Sequence, residues 1–178
     1  YDCSFCTVTV FNGRLHRRRS VEKVLEEISF QRNQHPEIRY LFFADDIFNL
    51  EGKKDERTKN IIRGMIEKGL HKGIRWGAQM RQEASRDEEL LELMRASNCD
   101  RVFVGFESIN QESLDLYGKK TKVEDVGESI RRFHEGGVRI HGMFMAGSDA
   151  DTVLGIRRLS KFVREIDLDT FQLMVTSP

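Results

Sequence analysis

Two cysteines three positions apart, Cys3 and Cys6, open the chain. A Cys-x-x-Cys pair brings two thiolates within reach of one centre, which can be a zinc ion, an iron–sulfur cluster or the two halves of a redox disulfide. A structural zinc site generally takes four ligands, and no second Cys or His pair of suitable spacing follows. The third cysteine, Cys99, stands just before an apolar run and is expected at the opposite end of the fold. Further groups able to do chemistry come in pairs: Asp45 and Asp46, Gln79 and Arg81, Glu107 and Ser108, Gly147 and Ser148, Thr176 and Ser177. Each pair closes a short apolar stretch, so their meaning depends on the elements that position them.

Those elements alternate. Apolar runs of strand length at Tyr40–Ala44, Ile74–Ala78, Arg101–Phe106, Val138–Met145 and Phe171–Val175 are separated by helical patterns. The helices read from the threefold and fourfold spacing of Val21, Val24, Leu25 and Ile28, of Ile61, Ile62, Met65 and Ile66, and of comparable later sets. Ser20 is expected to cap the first helix, and capping boxes are expected at Ser85–Glu88 and Thr121–Glu124. Residues 3–13 read as a loop ending in the Asn12-Gly13 turn signal. Alternation of this kind marks βαβ units and a parallel sheet.

Side-chain parity decides between an open sheet and a curled one. Successive residues of a strand face opposite sides. Trp76, Ala78 and Met80 oppose Arg75, Gly77, Gln79 and Arg81, while Val102, Val104 and Phe106 oppose Arg101, Phe103, Gly105 and Glu107. Val138, Ile140 and Phe144 likewise oppose Arg139, His141, Met143 and Met145, and Phe171, Leu173 and Val175 oppose Gln172, Met174 and Thr176. An open parallel sheet covered on both sides would be apolar on both faces. One apolar and one mixed polar face predict an incomplete α/β barrel with a polar lumen, whose active groups lie at the carboxyl ends of the strands. By parity Asp46, rather than Asp45, faces that lumen. Each group also has a plainer reading: turn or cap acids for Asp45 and Asp46, a helix carboxylate partner for Arg81, and solvated strand starts for Arg75, Arg101 and Arg139. A structural role fits His141 as well as a substrate contact. Glu107 requires a partner, most simply a ligand amine or hydroxyl.

Composition bounds the rest. The 178 residues suit one domain with a sizeable core, and 29 basic against 29 acidic residues give no overall field toward nucleic acid or membrane. Four arginines and a histidine between Arg14 and Arg19 form a local basic tract, read as a solvated helix approach or a phosphate contact. The longest apolar runs are too short to cross a bilayer. Three cysteines make no disulfide framework, which favours a reducing cytoplasm. The absence of an initiator methionine reads as a fragment truncated at both ends.

Tyr1-Asp2-Cys3-Ser4-Phe5-Cys6 resembles the tail of the Cys-x-x-x-Cys-x-x-Cys loop of radical S-adenosylmethionine (SAM) enzymes, whose first cysteine would fall two residues before Tyr1. Phe43–Phe48, Trp76–Arg81, Val104–Ser108 and Phe144–Gly147 are similar to successive strand ends of cobalamin-dependent and MiaB-like members. The resemblance implies a partial (β/α)6 TIM-like barrel, with the first strand outside this sequence and residues 1–178 forming one core domain. It implies a [4Fe-4S] cluster ligated by Cys3 and Cys6, with S-adenosylmethionine on the open iron and a 5′-deoxyadenosyl radical as product of its reductive cleavage. Asp46, Gln79, Arg81, Glu107 and Ser108 would surround the methionine and ribose, and Met143, Met145 and Gly147 the adenine. The aspartate pair replaces the glycine-rich segment many members carry. A cobalamin domain is expected before Tyr1, with a methyl transfer, cyclisation or rearrangement on a small molecule rather than RNA, and a flavodoxin- or ferredoxin-type reductant. The rivals are a tRNA methylthiotransferase-like enzyme and a zinc-binding or non-catalytic barrel.

Overall fold

A computed structural model of the chain describes residues 3–13, 17–50 and 55–176. Five strands form one parallel sheet in the order of the sequence: β1 (Tyr40–Phe43), β2 (Arg75–Met80), β3 (Cys99–Glu107), β4 (Arg139–Ala146) and β5 (Thr170–Val175). The helices are α1 (Val8–Asn12), α2 (Val21–Gln34), α3 (Glu56–Glu67), α4 (Glu88–Ala96), α5 (Gln111–Leu116), α6 (Asp125–Glu135) and α7 (Val153–Glu165). In a parallel sheet whose strands follow the order of the chain, the usual right-handed crossovers put the connecting helices on one face, the arrangement of a partial barrel and not of a doubly wound sheet.

The parity expectation holds for β2 to β4. Trp76, Ala78, Met80, Val102, Val104, Phe106, Ile140 and Phe144 are buried in one core with Ile61, Ile62, Met65, Leu90, Met94, Ile130 and Phe133 from the helices. Trp76 anchors it: its ring lies edge-on to Phe43 and Phe48, and its Nε1 donates to the Ser97 carbonyl at 3.1 Å and to Ser97 Oγ at 3.0 Å. The other face keeps Phe42, Phe103, His141 and Met143 only partly covered. At the edge strand β5, Phe171, Leu173 and Val175 are exposed.

Local signals were displaced in three places. Gln82–Arg86 forms a 3-10 turn in which Ser85 bonds back to the Gln82 carbonyl, so α4 begins two residues later with Asp87 Oδ1 accepting from the Leu90 amide at 3.1 Å. Thr121 is buried in the approach to α6, which starts at Asp125 without a side-chain cap; Gln111 Oε1 instead accepts the Val123 amide at 3.2 Å. The segment read as a loop contains α1. Ser20 does cap α2, accepting from the Lys23 amide. No helix among the described residues is long and apolar enough to cross a membrane.

Candidate functional site

The site is built at the carboxyl end of β3. A register shift between Gly105 and Glu107 in the pairing with β4 bulges the strand, and Glu107 takes a left-handed φ of 63°. A non-glycine residue in that region is held there by its surroundings. Here its carboxylate, almost fully buried, accepts from Lys119 Nζ at 2.9 Å. Lys119 thus supplies one partner for Glu107, bonded to a single carboxylate oxygen.

Lys119 reaches this position through the ending of α5. Gly118 adopts φ 69°, with the Gly118 amide bonded to the Asp115 carbonyl at 3.0 Å and the Lys119 amide to the Leu114 carbonyl at 2.9 Å. That paired closure turns the chain sharply back and needs a residue free to adopt positive φ. At the start of the helix Asn110 caps it, accepting from the Glu112 amide at 3.1 Å, while Ser108 Oγ accepts the Asn110 amide at 3.0 Å. A helix of six residues therefore fixes the geometry of Glu107, Ser108 and Lys119 together.

The cysteine turn docks on the same helix. The Cys6 amide bonds to the Cys3 carbonyl at 3.1 Å, and Ser4 donates from its amide to the Tyr117 carbonyl at 3.0 Å and from Oγ to the Leu116 carbonyl at 3.1 Å. These carbonyls are among those a helix leaves unsatisfied at its C-terminus. Phe5 packs edge-on against Tyr117, with ring centroids 5.2 Å apart. Neither cysteine is in a disulfide, and both are half-buried. Burial pushes the Cys3 thiol up, the Lys119 ammonium pulls it down, and the Glu107 carboxylate raises it, so all three groups share one electrostatic neighbourhood. Cys99 lies at the amino end of β3, where burial pushes its thiol far up. The expectation that it is no ligand of this site agrees with its place. Among the described residues no group of three or more His, Cys, Asp and Glu side chains could hold a metal ion.

A second knot closes the ends of β4 and β5. Asp151 Oδ2 accepts the amides of Gly147 at 2.8 Å and Ser148 at 3.0 Å, while its Oδ1 accepts from Ser113 Oγ at 2.9 Å. Ser113 also lies 2.8 Å from Ser148 Oγ, which ties this loop to α5. Gly147 sits at φ 104°, and a Cβ there would stand 2.6 Å from Thr176 Oγ1. Met145 is buried and Met143 half-buried beside it on β4. Ser113, Asp151 and Lys119 were not found by reading strand ends, because all three come from the elements that follow them.

The remaining strand-end residues line the ends of β1 and β2. The Phe48 amide bonds to the Gln79 carbonyl at 2.8 Å, fastening the loop after β1 across the end of β2. Arg81 Nη1 donates to the Leu50 carbonyl at 3.2 Å. Asp45 and Asp46 are exposed, and the Gln79 side chain is half-buried. Of the three strand-start arginines, Arg75 and Arg139 are solvated and share Asp100, as the plainer reading expects. Arg101 is only partly exposed. His141 Nδ1 lies 2.9 Å from Thr170 Oγ1. In the basic tract, Arg17 and Arg19 are exposed and Arg19 pairs with Glu27. Tyr1, Asp2, Arg14, His16, Ser177 and Pro178 lie outside the described residues.

The sequence model of the radical SAM superfamily matches residues 1–159. The anaerobic magnesium-protoporphyrin IX monomethyl ester cyclase of Cereibacter sphaeroides is 31% identical over 153 residues, covering 85% of this chain and 24% of that protein. The bacteriochlorophyllide d C-12(1)-methyltransferase of Chlorobaculum tepidum is 25% identical over 181 residues, covering 99% and 38%. The chain thus spans well under half the length of these curated relatives. Among solved structures, the radical S-adenosylmethionine methyltransferase TsrM from Kitasatospora setae, with cobalamin and a [4Fe-4S] cluster bound, superposes with a TM-score of 0.84 at 21% identity, over 98% of this chain and 34% of that one.

Proposed function

This chain belongs to the radical SAM superfamily, and from that premise we propose that it is the S-adenosylmethionine-cleaving core of a cobalamin-dependent methyltransferase or cyclase acting on a small molecule. The observation that carries the reading is the convergence of the Cys3–Cys6 turn with Glu107 and Lys119 at the carboxyl end of β3. The donor set fits a cluster in part: two half-buried thiols lie in one tight turn, and the Lys119 ammonium acts on Cys3, although burial outweighs it and holds that thiol up. Cys3 and Cys6 would hold a [4Fe-4S] cluster, with the third thiolate expected just before Tyr1. When bound, the cluster supplies the single electron that breaks a carbon–sulfur bond of S-adenosylmethionine.

The chain's own residues bind and orient. The buried Glu107 carboxylate, with Lys119 neutralising one oxygen, is positioned to take a ligand amine or hydroxyl on its free lone pairs. Ser108, Gln79, Arg81 and Asp46 supply polar groups around the methionine and ribose. Gly147 presents bare backbone, with Met143 and Met145 as apolar surface for adenine. Asp151 holds the Gly147–Ser148 turn rigid and acts as a positioning residue.

The methyltransfer reading draws on TsrM and on the bacteriochlorophyllide methyltransferase; the cyclase relative keeps ring closure as the other outcome on the same core. A flavodoxin- or ferredoxin-type donor would supply the electron. The test is anaerobic reconstitution of the full-length protein with iron and sulfide, followed by S-adenosylmethionine and a strong reductant. 5′-Deoxyadenosine should form, and Cys3→Ala and Cys6→Ala should each lose bound iron and the product. Unchanged iron in both variants, together with no cleavage in the parent protein, refutes the proposal.

A further inference from the structure

Strand register sorts the lumen face into rows. Phe42, Gly77, Arg101 and Arg139 are aligned across β1 to β4, and above them Gln79, Phe103, His141 and Thr170 across β2 to β5. Three aromatic rings make a continuous wall: Phe103 stands 5.4 Å from Phe42, edge to face, and 4.9 Å from His141. Phe42 is 47% exposed, so this wall faces open space inside the partial barrel.

Arg101 lies beneath that wall and is the exception among the three strand-start arginines. The nearby carboxylate of Asp100 is taken by Arg75 at 3.1 Å and by Arg139. Arg101 makes no side-chain hydrogen bond or ion pair among the described residues, and its Nε is completely covered without an acceptor. Its charge bears on Tyr40 and His141, neither of which can neutralise it as a carboxylate would. Burial holds His141 below its usual value, against a hydrogen bond with Gln172 that raises it, and the Arg101 charge lowers it further. A partly desolvated guanidinium without an acceptor is costly to keep. Its planar fork matches a carboxylate or phosphate in a two-pronged bond.

We propose that Arg101 is a specificity-determining residue which holds an oxyanion, carboxylate or phosphate, of a substrate whose ring-bearing apolar body lies on Phe42, Phe103 and His141. The site is distinct from the Glu107–Lys119 end of the lumen. The assignment rests on the enzyme reading above for the word substrate; the anion subsite itself does not depend on cluster chemistry.

The test uses the full-length reconstituted protein and three probes of one shape: 2-naphthoate, 2-naphthyl phosphate and neutral 2-naphthamide, followed by saturation-transfer NMR and calorimetry. At least one anionic probe should bind at millimolar concentration or better, roughly tenfold or more tightly than the amide. Arg101→Gln should erase that preference, Arg101→Lys should retain part of it, and Arg75→Gln should leave it intact. Which anion binds better tells carboxylate from phosphate. Equal binding of amide and anions to the parent protein, no binding of any probe, or an anion preference that survives Arg101→Gln overturns the proposal. The probe comparison on the parent protein keeps the test decisive if a variant misfolds. Failure to cleave S-adenosylmethionine would sink the enzyme reading and leave the anion measurement standing.

Discussion

Removing either member of the Glu107–Lys119 pair should cost far more than removing both. The two charged groups meet at 2.9 Å with side chains only 9% and 13% exposed. At that distance an effective dielectric of about 20 gives a gross attraction of roughly 6 kcal/mol. Desolvating both groups cancels much of it, so the pair's net worth is small while the cost of orphaning one charge is large, about 3 kcal/mol. Lys119→Met leaves the Glu107 carboxylate buried at a left-handed backbone position with no cation to meet it. Glu107→Gln leaves an ammonium facing an amide.

Each single substitution should therefore lower the unfolding free energy by about 2 to 4 kcal/mol, and the Glu107→Gln/Lys119→Met double variant by less than either single one, about 1 kcal/mol. Urea unfolding followed by circular dichroism at neutral pH measures all four corners of the cycle. Gly105 provides an independent route to the same interaction. A Cβ at position 105 would collide with Glu107 Oε1 and stand 3.4 Å from Lys119 Nζ. Gly105→Ala should thus destabilise the parent protein by about 2 kcal/mol, the scale of a lost charge-assisted hydrogen bond, and do much less in the double variant. Additive single effects, or a Gly105→Ala change as large in the double variant as in the parent, would refute the reasoning.

Two further outcomes follow from the same geometry. Gly147→Ala puts a side chain at φ 104° with its Cβ 2.6 Å from Thr176 Oγ1; it should cost about 2 kcal/mol of stability and weaken S-adenosylmethionine binding, read by calorimetry. Burial holds the His141 imidazole below its usual value, so the unfolded chain takes up that proton first as pH falls. The neutral form therefore contributes stability that is fully present above ~6.5, the ordinary histidine value, and lost as pH drops through the lower folded value. A plot of melting temperature against pH should be flatter below ~6.5 in His141→Gln than in the parent; parallel curves would contradict it.

Period-two parity makes the scaffold legible in the sequence, because it depends only on the alternation of Trp76, Ala78 and Met80 with Gly77, Gln79 and Arg81. The buried outer face and open inner face of β2 to β4 followed from that alternation. Strand ends were legible for the same reason, which placed Glu107, Ser108 and Gly147 where the fold has them. Partners were not legible. Lys119 meets Glu107 only because Gly118 ends α5 with two specific carbonyl closures, and Asp151 reaches Ser113 from a loop 38 residues away. The strand-start arginines show the limit most sharply. Arg75, Arg101 and Arg139 are indistinguishable by parity, yet one carboxylate, Asp100, accepts from two of them and leaves the third facing the lumen. Which guanidinium stays without an acid is decided by the stagger between strands, since the register slips between Trp76 and Gly77 in the pairing of β2 with β3. A one-residue shift there would move Arg101 along the lumen relative to the Phe42 row. The chemistry of the inner face is therefore set by register as much as by residue type, and the two bulges of β3, at Asp100 and at Phe106, are where this chain fixes it.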